Sequence, residues 1–308
     1  MTAPAILTPE QTARALPYPA LAGEIEHLLQ DASVQVPPRL VQPLAGGGSL
    51  FVMPACDAQV AITKLITFVA DNATRGLPAI QGDIVVFDAR TGQRQAVLDG
   101  PTVTARRTAA VSLLAAQHLA PHREGPLLIV GAGVQGLAHL EAFQDGLGVD
   151  EVWVASRTPA SAQALVAHAQ ARGLKARQVM DANAGLAHCP LVVSCTPAQG
   201  VVLQALPRSD AFVAAVGAFT PRMVEWAPEV CQHLHRTGRV VVDTRDADHE
   251  AGDLLQAGID VAALPTLADV VAGRSGRPAA GPVFFKSCGW AGWDLAAARL
   301  IARSLPSD

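Results

Sequence analysis

From about Gly125 to Leu264 the apolar positions repeat in one rhythm: a short apolar run, a turn, then a helical stretch. The runs are PLLIVG, EVWVAS, KARQVM, LVVSCT, AFVAAVG and RVVVDT. Several are apolar without alternation, the pattern of parallel strands covered on both faces. The stretch PASAQALVAHAQARG between two of them opens on Pro and closes on Gly, as a helix does. This rhythm predicts an α/β fold with a Rossmann-type doubly wound parallel sheet over residues 121–287.

The first 120 residues read differently. Helical patterns in TPEQTARAL and PALAGEIEHLLQDA lead into SLFVMPA, QVAITKLITFVA, GDIVVFDA and QRQAVLD, where apolar and polar positions alternate. Alternation predicts antiparallel sheet with one buried face. A long helical stretch, PTVTARRTAAVSLLAAQHLA, leads into the second region. SCGWAGWDLAAARLIARSL predicts a closing helix over about 288–308 that packs back on the first. The chain is expected to divide into an α+β domain (1–120 with 288–308) and a dinucleotide-binding domain (121–287). The substrate site is expected in the cleft between them.

Composition narrows the classes. The chain has 308 residues, half of them hydrophobic and 16% charged, enough for a sizeable core in one large or two modest domains. A net charge of −4 gives no electrostatic footprint for nucleic acid. The start, MTAPAILTPEQ, has no basic segment followed by an apolar one, so no secretory signal is expected. No apolar run nears the ~20 residues of a membrane span. Cys56, Cys189, Cys195, Cys231 and Cys288 are odd in number, scattered and without C-x-x-C spacing. That pattern points to a reducing cytoplasm and no structural zinc.

Gly131-x-Gly133-x-x-Gly136 follows the apolar run LLIV and opens a helix with Val134 and Gln135. Gly131 permits a tight turn, Gly133 lets backbone approach a pyrophosphate, and Gly136 permits close helix–strand packing. The free N–H groups of the helix start then receive the phosphates. A dinucleotide site often carries a carboxylate at the end of its second strand, where it accepts bonds from a ribose hydroxyl. Here EVWVA runs into Ser156, Arg157 and Thr158, and Asp150 and Glu151 lie at the wrong end. A cation with two hydroxyls suits a 2′-phosphate, so NADP is the expected cofactor.

Other constellations point to less. His233-x-His235 falls in a helical stretch where residues two apart do not share a face, so no metal site is expected. DADHEAGDL reads as a solvated helix start, Cys195 as a buried thiol, and Trp290 with Trp293 as packing.

The segments PPRL, AITKLITF, GLPAIQGDIVVFDARTGQ, LDGPTVTARRTAAVSLLAAQHLAP, VGAGVQG and VFFKSCGWAGWDLAAA resemble the ornithine cyclodeaminase/μ-crystallin family along nearly the whole chain. The resemblance implies a substrate domain that also forms a homodimer. It implies that Arg39, Lys64 and Arg107 hold a substrate carboxylate, with Lys64 and Arg107 as the catalytic pair. Of the adjacent Arg106 and Arg107, which point about 100° apart on a helix, the motif selects Arg107. Gln81 aligns near a pocket position. Thr108 and Ser287 match cofactor-contacting positions, and Thr196 and Val216 fall where the nicotinamide end passes.

One departure decides among the family's activities. The cyclodeaminases carry an Asp two residues after the Gly that follows the strand AFVAAV; here that position is Phe219. Phenylalanine cannot pair with a distal ammonium, but it can pack on an apolar ring. The expected function is therefore NADPH-dependent reduction of cyclic 2-carboxy imines: Δ1-pyrroline-2-carboxylate to proline and Δ1-piperideine-2-carboxylate to pipecolate. The proton comes from Lys64 or from water. The alternatives are an NAD-dependent ornithine cyclodeaminase and a non-catalytic, crystallin-like NADPH-binding protein.

Overall fold

The structure is a computed structural model that describes residues 4–276 and 280–305. The first three residues of MTAPAILTPEQ and the last three of the expected closing helix lie outside the described residues. The chain forms two compact units, residues 1–107 with 290–308 and residues 108–289.

In the first unit β1 (Ala5–Ile6) precedes α1 (Pro9–Arg14) and α2 (Tyr18–Leu29). Thr8 and Gln11 close a capping box at the start of α1, whose first helical position is Pro9. Tyr18, Leu21, Ala22, Ile25 and Leu28 form one buried stripe along α2. Then come β2 (Leu40–Pro43), β3 (Ser49–Cys56), β4 (Val60–Phe68), β5 (Ile80–Asp88) and β6 (Arg94–Asp99). They form a six-stranded sheet in the order β1-β6-β5-β4-β3-β2. The meander β2 to β6 is antiparallel, and β1 joins the edge in parallel to β6. Along β4 the period of two sends Val60, Ile62, Lys64 and Ile66 inward and leaves Leu65 exposed. Lys64 thus occupies a core position of an otherwise apolar face.

The helix α3 (Gly100–Leu119) carries the chain from the first unit into the second, the division falling between Arg107 and Thr108. The second unit then runs β7 (Leu127–Val130), α4 (Val134–Leu147), β8 (Glu151–Ala155), α5 (Pro159–Ala171), β9 (Lys175–Gln178), α6 (Ala182–Leu186), β10 (Leu191–Ser194), β11 (Gln199–Leu203), β12 (Phe212–Ala215), β13 (Val224–Trp226), α7 (Pro228–Thr237), β14 (Arg239–Val242), α8 (Gly252–Gln256), α9 (Leu267–Val271) and β15 (Val283–Lys286). Seven strands pair in parallel in the order β14-β15-β12-β10-β7-β8-β9. Strands β7, β10, β12 and β15 are buried along their whole length, as strands covered on both faces are; all their residues are apolar except Ser194 and Lys286, the last residues of β10 and β15.

All six expected strands of this sheet form. The seventh, β15, was not among them. It inserts between β12 and β14, and three apolar residues followed by a lysine carry no sign of which neighbours the strand will take. Strands β11 and β13 form a separate parallel pair. The chain leaves β7 for β8 on one side and returns to β10 on the other, so the order reverses at the carboxyl ends of β7 and β10.

The closing helix, α10 (Ala291–Ala302), belongs to the first unit and is buried at Trp293, Asp294, Leu295 and Ile301. Trp290 and Trp293 stack edge-to-face with centroids 5.0 Å apart, a packing contact. Near its end, Arg299 is 8% exposed and pairs with Asp57, Asp31 and Glu24, anchoring α10 to α2 and the β3–β4 turn. Removing one member of a buried ion group leaves the others uncompensated. Arg299→Ala should lower unfolding stability by ~3–5 kcal/mol. Urea titration checks this; a loss under ~1 kcal/mol would show that water replaces the guanidinium at little cost.

Candidate active site

In the second unit the glycine-rich turn follows β7. Gly131 has φ +113°, and a Cβ there would lie 2.8 Å from the Cys195 carbonyl oxygen. A Cβ at Gly136 would lie 2.1 Å from the Gly131 carbonyl, whereas Gly133 faces open space. Gly133 caps α4 without a side-chain bond, and Val134 in the first turn is 70% exposed. The helix start therefore presents uncapped N–H groups to open space at the sheet's switch point. That cradle suits the pyrophosphate of a dinucleotide. Gln135 is half-buried, with its side-chain oxygen buried and unpartnered.

His139, one helical turn further, is fully buried. Its Nδ1 donates to the Gln135 carbonyl (2.8 Å), so in the neutral ring Nε2 accepts from Ser112 Oγ (2.9 Å). Burial lowers its pKa to about 4. At the end of β8, Ser156 is half-buried while Arg157 and Thr158 are exposed. Arg157 makes no ion pair among the described residues.

Thr196, Val216 and Ser287 follow the carboxyl ends of β10, β12 and β15. Thr196 donates through N (2.7 Å) and Oγ1 (2.8 Å) to Glu225, and Gly217 N donates to the other Glu225 oxygen (2.9 Å). Val216 closes β12, its N–H donating to the Ser194 carbonyl. Ser287 Oγ donates to Asp243 (2.8 Å), which also receives the N–H groups of Cys288 and Gly289. Thr108 is buried in α3.

Glu225 is fully buried and its acceptors are taken by Thr196, Gly217 and Ser194, so it is not free to replace the carboxylate missing at Phe219. Phe219 itself is half-buried two residues past Gly217. Cys195 is held protonated: burial pushes its pKa well up, and its Sγ donates to the Gly131 carbonyl.

DADHEAGDL departs from expectation. Asp246 and His249 are exposed, but Asp253 is fully buried. It pairs with Lys286 (2.8 Å) and receives the N–H groups of Glu225 and Trp226. A buried cation at the end of β15 draws that acid inward, which the local sequence did not reveal. Among the described residues no group of three His, Cys, Asp or Glu could hold a metal ion.

In the first unit Lys64 and Arg107 converge on one acid, Asp294. Lys64 Nζ donates to Asp294 Oδ1 (3.0 Å) and to Thr104 Oγ1 (2.7 Å); Arg107 Nε lies 3.4 Å from the same Oδ1. Thr104 and Arg107 share a face of α3. Arg106 points elsewhere, donating to the Leu16 carbonyl and stacking over Tyr18.

Extending the β2–β3 register by one residue sets Arg39 opposite Met53, which pairs with Lys64. Burial lowers the Lys64 pKa to about 8. Asp294 opposes the shift, while the charges of Arg107 and Arg39 add to it. The three expected cations are thus brought to one face. Gln81 is not: it is exposed and by register shares the opposite face with Leu65. Asp294 was absent from the expected residues because an acid in the first turn of a helix reads as a response to the helix dipole.

A parallel doubly wound sheet with a glycine-rich cradle, joined to an α+β unit with a buried cluster of cations, defines an α/β protein of the dinucleotide-binding class. Residues 4–307 match the model of the ornithine cyclodeaminase/mu-crystallin family, and the chain belongs to that family. It is 40% identical to a Delta(1)-pyrroline-2-carboxylate reductase of Burkholderia multivorans, over 96% of this chain and 94% of the relative. It is 37% identical, over the same shares, to a Delta(1)-pyrroline-2-carboxylate/Delta(1)-piperideine-2-carboxylate reductase of Azospirillum brasilense. The fold is shared with the Delta(1)-pyrroline-2-carboxylate reductase of Thermococcus litoralis, solved with NADH and L-proline. That match has a TM-score of 0.84 at 22% identity and covers 98% of this chain and 96% of the other.

The buried His139 makes stability depend on pH. Its folded pKa lies below that of the unfolded chain, which therefore binds more protons between pH 4 and 6.5. Stability rises with pH through that window and is lost as pH falls. The loss from this group is roughly 3 kcal/mol. Unfolding free energies of wild type and His139→Leu at pH 7 and 4.5 should show a smaller acid loss in the variant. Equal losses would show that His139 takes up its proton without unfolding.

Proposed function

We propose that this protein is an NADPH-dependent reductase of cyclic 2-carboxy imines, acting on Δ1-pyrroline-2-carboxylate and Δ1-piperideine-2-carboxylate. The observation that carries this reading is the buried set of Lys64 and Arg107 around one carboxylate, with Arg39 on the same face. Two buried cations sharing one anion leave positive charge for a substrate carboxylate to neutralise. The two relatives at 37–40% identity, both named for reducing such imines, support the same substrate class.

The turn Gly131–Gly136 and the start of α4 hold the pyrophosphate, and Ser156, Arg157 and Thr158 hold a 2′-phosphate. Thr108, Thr196, Val216 and Ser287 would hold the cofactor's nicotinamide end. A bound nicotinamide dinucleotide supplies the hydride. Arg39 and Arg107 grip and orient the substrate carboxylate. Lys64 protonates the imine nitrogen: with a pKa of about 8 it is charged at neutral pH, yet gives up its proton more readily than an ordinary lysine. Phe219 offers an apolar face where an acid would be needed to hold a distal ammonium. Gln81, facing away from Lys64, carries no role in this scheme.

The protein works as a homodimer. The exposed apolar residues of β2, Leu40 and Val41, support a covered sheet edge. Its five free cysteines suit the reducing cytoplasm. Among the described residues no helix is long and apolar enough to cross a membrane.

The purified protein should oxidise one NADPH per imine reduced and yield proline or pipecolate, while ornithine with NAD or NADP releases no ammonia. Proline and ammonia from ornithine at a comparable rate would overturn the reading, as would NADPH binding without turnover. For the cofactor, one charge-assisted contact is worth ~1.5–3 kcal/mol. Arg157→Ala should therefore raise the KM for NADPH roughly tenfold or more and leave that for NADH nearly unchanged. An equal rise for both would remove Arg157 from the 2′-phosphate site.

A further inference from the structure

We propose that Asp294, in the first turn of α10, is a positioning residue for the reduction: a single carboxylate oxygen fixes the spacing of Lys64 and Arg107 and keeps Lys64 charged. The inference rests on the reading of Lys64 as proton donor. Its ground is geometric. Lys64 reaches Asp294 Oδ1 at 3.0 Å from β4, and Arg107 Nε lies 3.4 Å from the same atom from α3. Asp294 is fully buried, Lys64 is 1% exposed and Arg107 7%. Among the described residues no other carboxylate pairs with either cation.

Two like charges this close repel, and burial strengthens the repulsion. The shared oxygen offsets it. Asp294 Oδ2 and Arg107 Nε are both buried without a hydrogen-bond partner. An acid present only to secure the fold would be expected to satisfy both its oxygens, as Glu225 does. The groups facing Lys64 are Thr104 and Arg107 from α3, Asp294 from α10 and the charge of Arg39 beside β2. Three of these are cationic or neutral; Asp294 supplies the anion. Without it, Lys64 would face burial and two cations, all of which favour its neutral form. The donor would then lose its proton at a lower pH.

The test is the pH profile of kcat/KM for Δ1-piperideine-2-carboxylate with NADPH in wild type, Asp294→Asn and Lys64→Ala. In wild type the rate should fall above a pKa near 8, as Lys64 loses its proton. Asp294→Asn keeps the shape and removes the charge, so this basic limb should move at least one unit lower, while NADPH affinity, read by fluorescence titration, stays within threefold. In Lys64→Ala the limb should vanish. A limb unmoved in Asp294→Asn but absent from Lys64→Ala overturns the role of Asp294 and leaves Lys64 as donor. A limb that persists in Lys64→Ala overturns both. If Asp294→Asn does not fold, Asp294→Glu keeps the charge and alters its reach. Its limb should stay within about half a unit of wild type while the imine KM rises; an imine KM equal to wild type overturns the proposal.

Discussion

A lysine on the inner face of a sheet must find an anion or lose its charge. At Lys64 that constraint organises much of the first unit. The strand's alternation commits the side chain to the core, and an unpaired ammonium there would cost several kcal/mol. Asp294 meets the need from the last helix and Thr104 from α3. Strand β4, the start of α3 and the start of α10 must therefore come into register around one oxygen atom. The apolar contacts of α10, and the second ion cluster at Arg299, hold that helix at the same sheet. The arrangement leaves more buried positive than negative charge. A purely structural cluster would balance its charges, whereas a site for an anionic substrate has reason not to.

The second unit answers a different constraint, the close approach of backbone to backbone at the sheet's carboxyl end. Gly131 lies against Cys195, Gly136 against Gly131, and Gly217 against Thr196 and the Glu225 carboxylate, each without room for a Cβ. Backbone this crowded exposes N–H groups with no strand partner, and three buried acids collect them. Glu225 takes those of Thr196 and Gly217, Asp253 those of Glu225 and Trp226, and Asp243 those of Cys288 and Gly289. Carboxylates that accept several N–H bonds are strong fixed acceptors. Here they stiffen the loops at the carboxyl ends of the strands, where doubly wound sheets place their ligands.

Phe219 stands two residues past Gly217, where the resemblance to the cyclodeaminases implies an acid. Glu225, six residues further along the chain, is committed to backbone and to Thr196 and Ser194. A ring substrate without a distal amine needs no counter-ion at Phe219.

Much of this was legible in the residues themselves. Unbroken apolar runs announce parallel strands, alternation announces the antiparallel sheet, and a strand, a spaced set of glycines and a helix announce a phosphate cradle, because each is a local consequence of backbone geometry. The motif also separated Arg107 from Arg106, whose side chains turn out to point to different partners. The place of β15 was not legible, since strand order depends on which neighbours are still open when the chain returns. Nor was the burial of Asp253, which looks like one more acid in a polar stretch until Lys286 lies beneath it. Asp294 is the clearest case. As sequence it is an acid at a helix start, and only the convergence of β4, α3 and α10, far apart in the chain, makes it the counter-ion of Lys64. The sequence alone determined which faces of the periodic strands and helices turn inward and which turn approaches a phosphate, because both follow from local backbone geometry. The tertiary structure decided which buried charge meets which, because a charge pair is set by through-space distance and not by spacing along the chain.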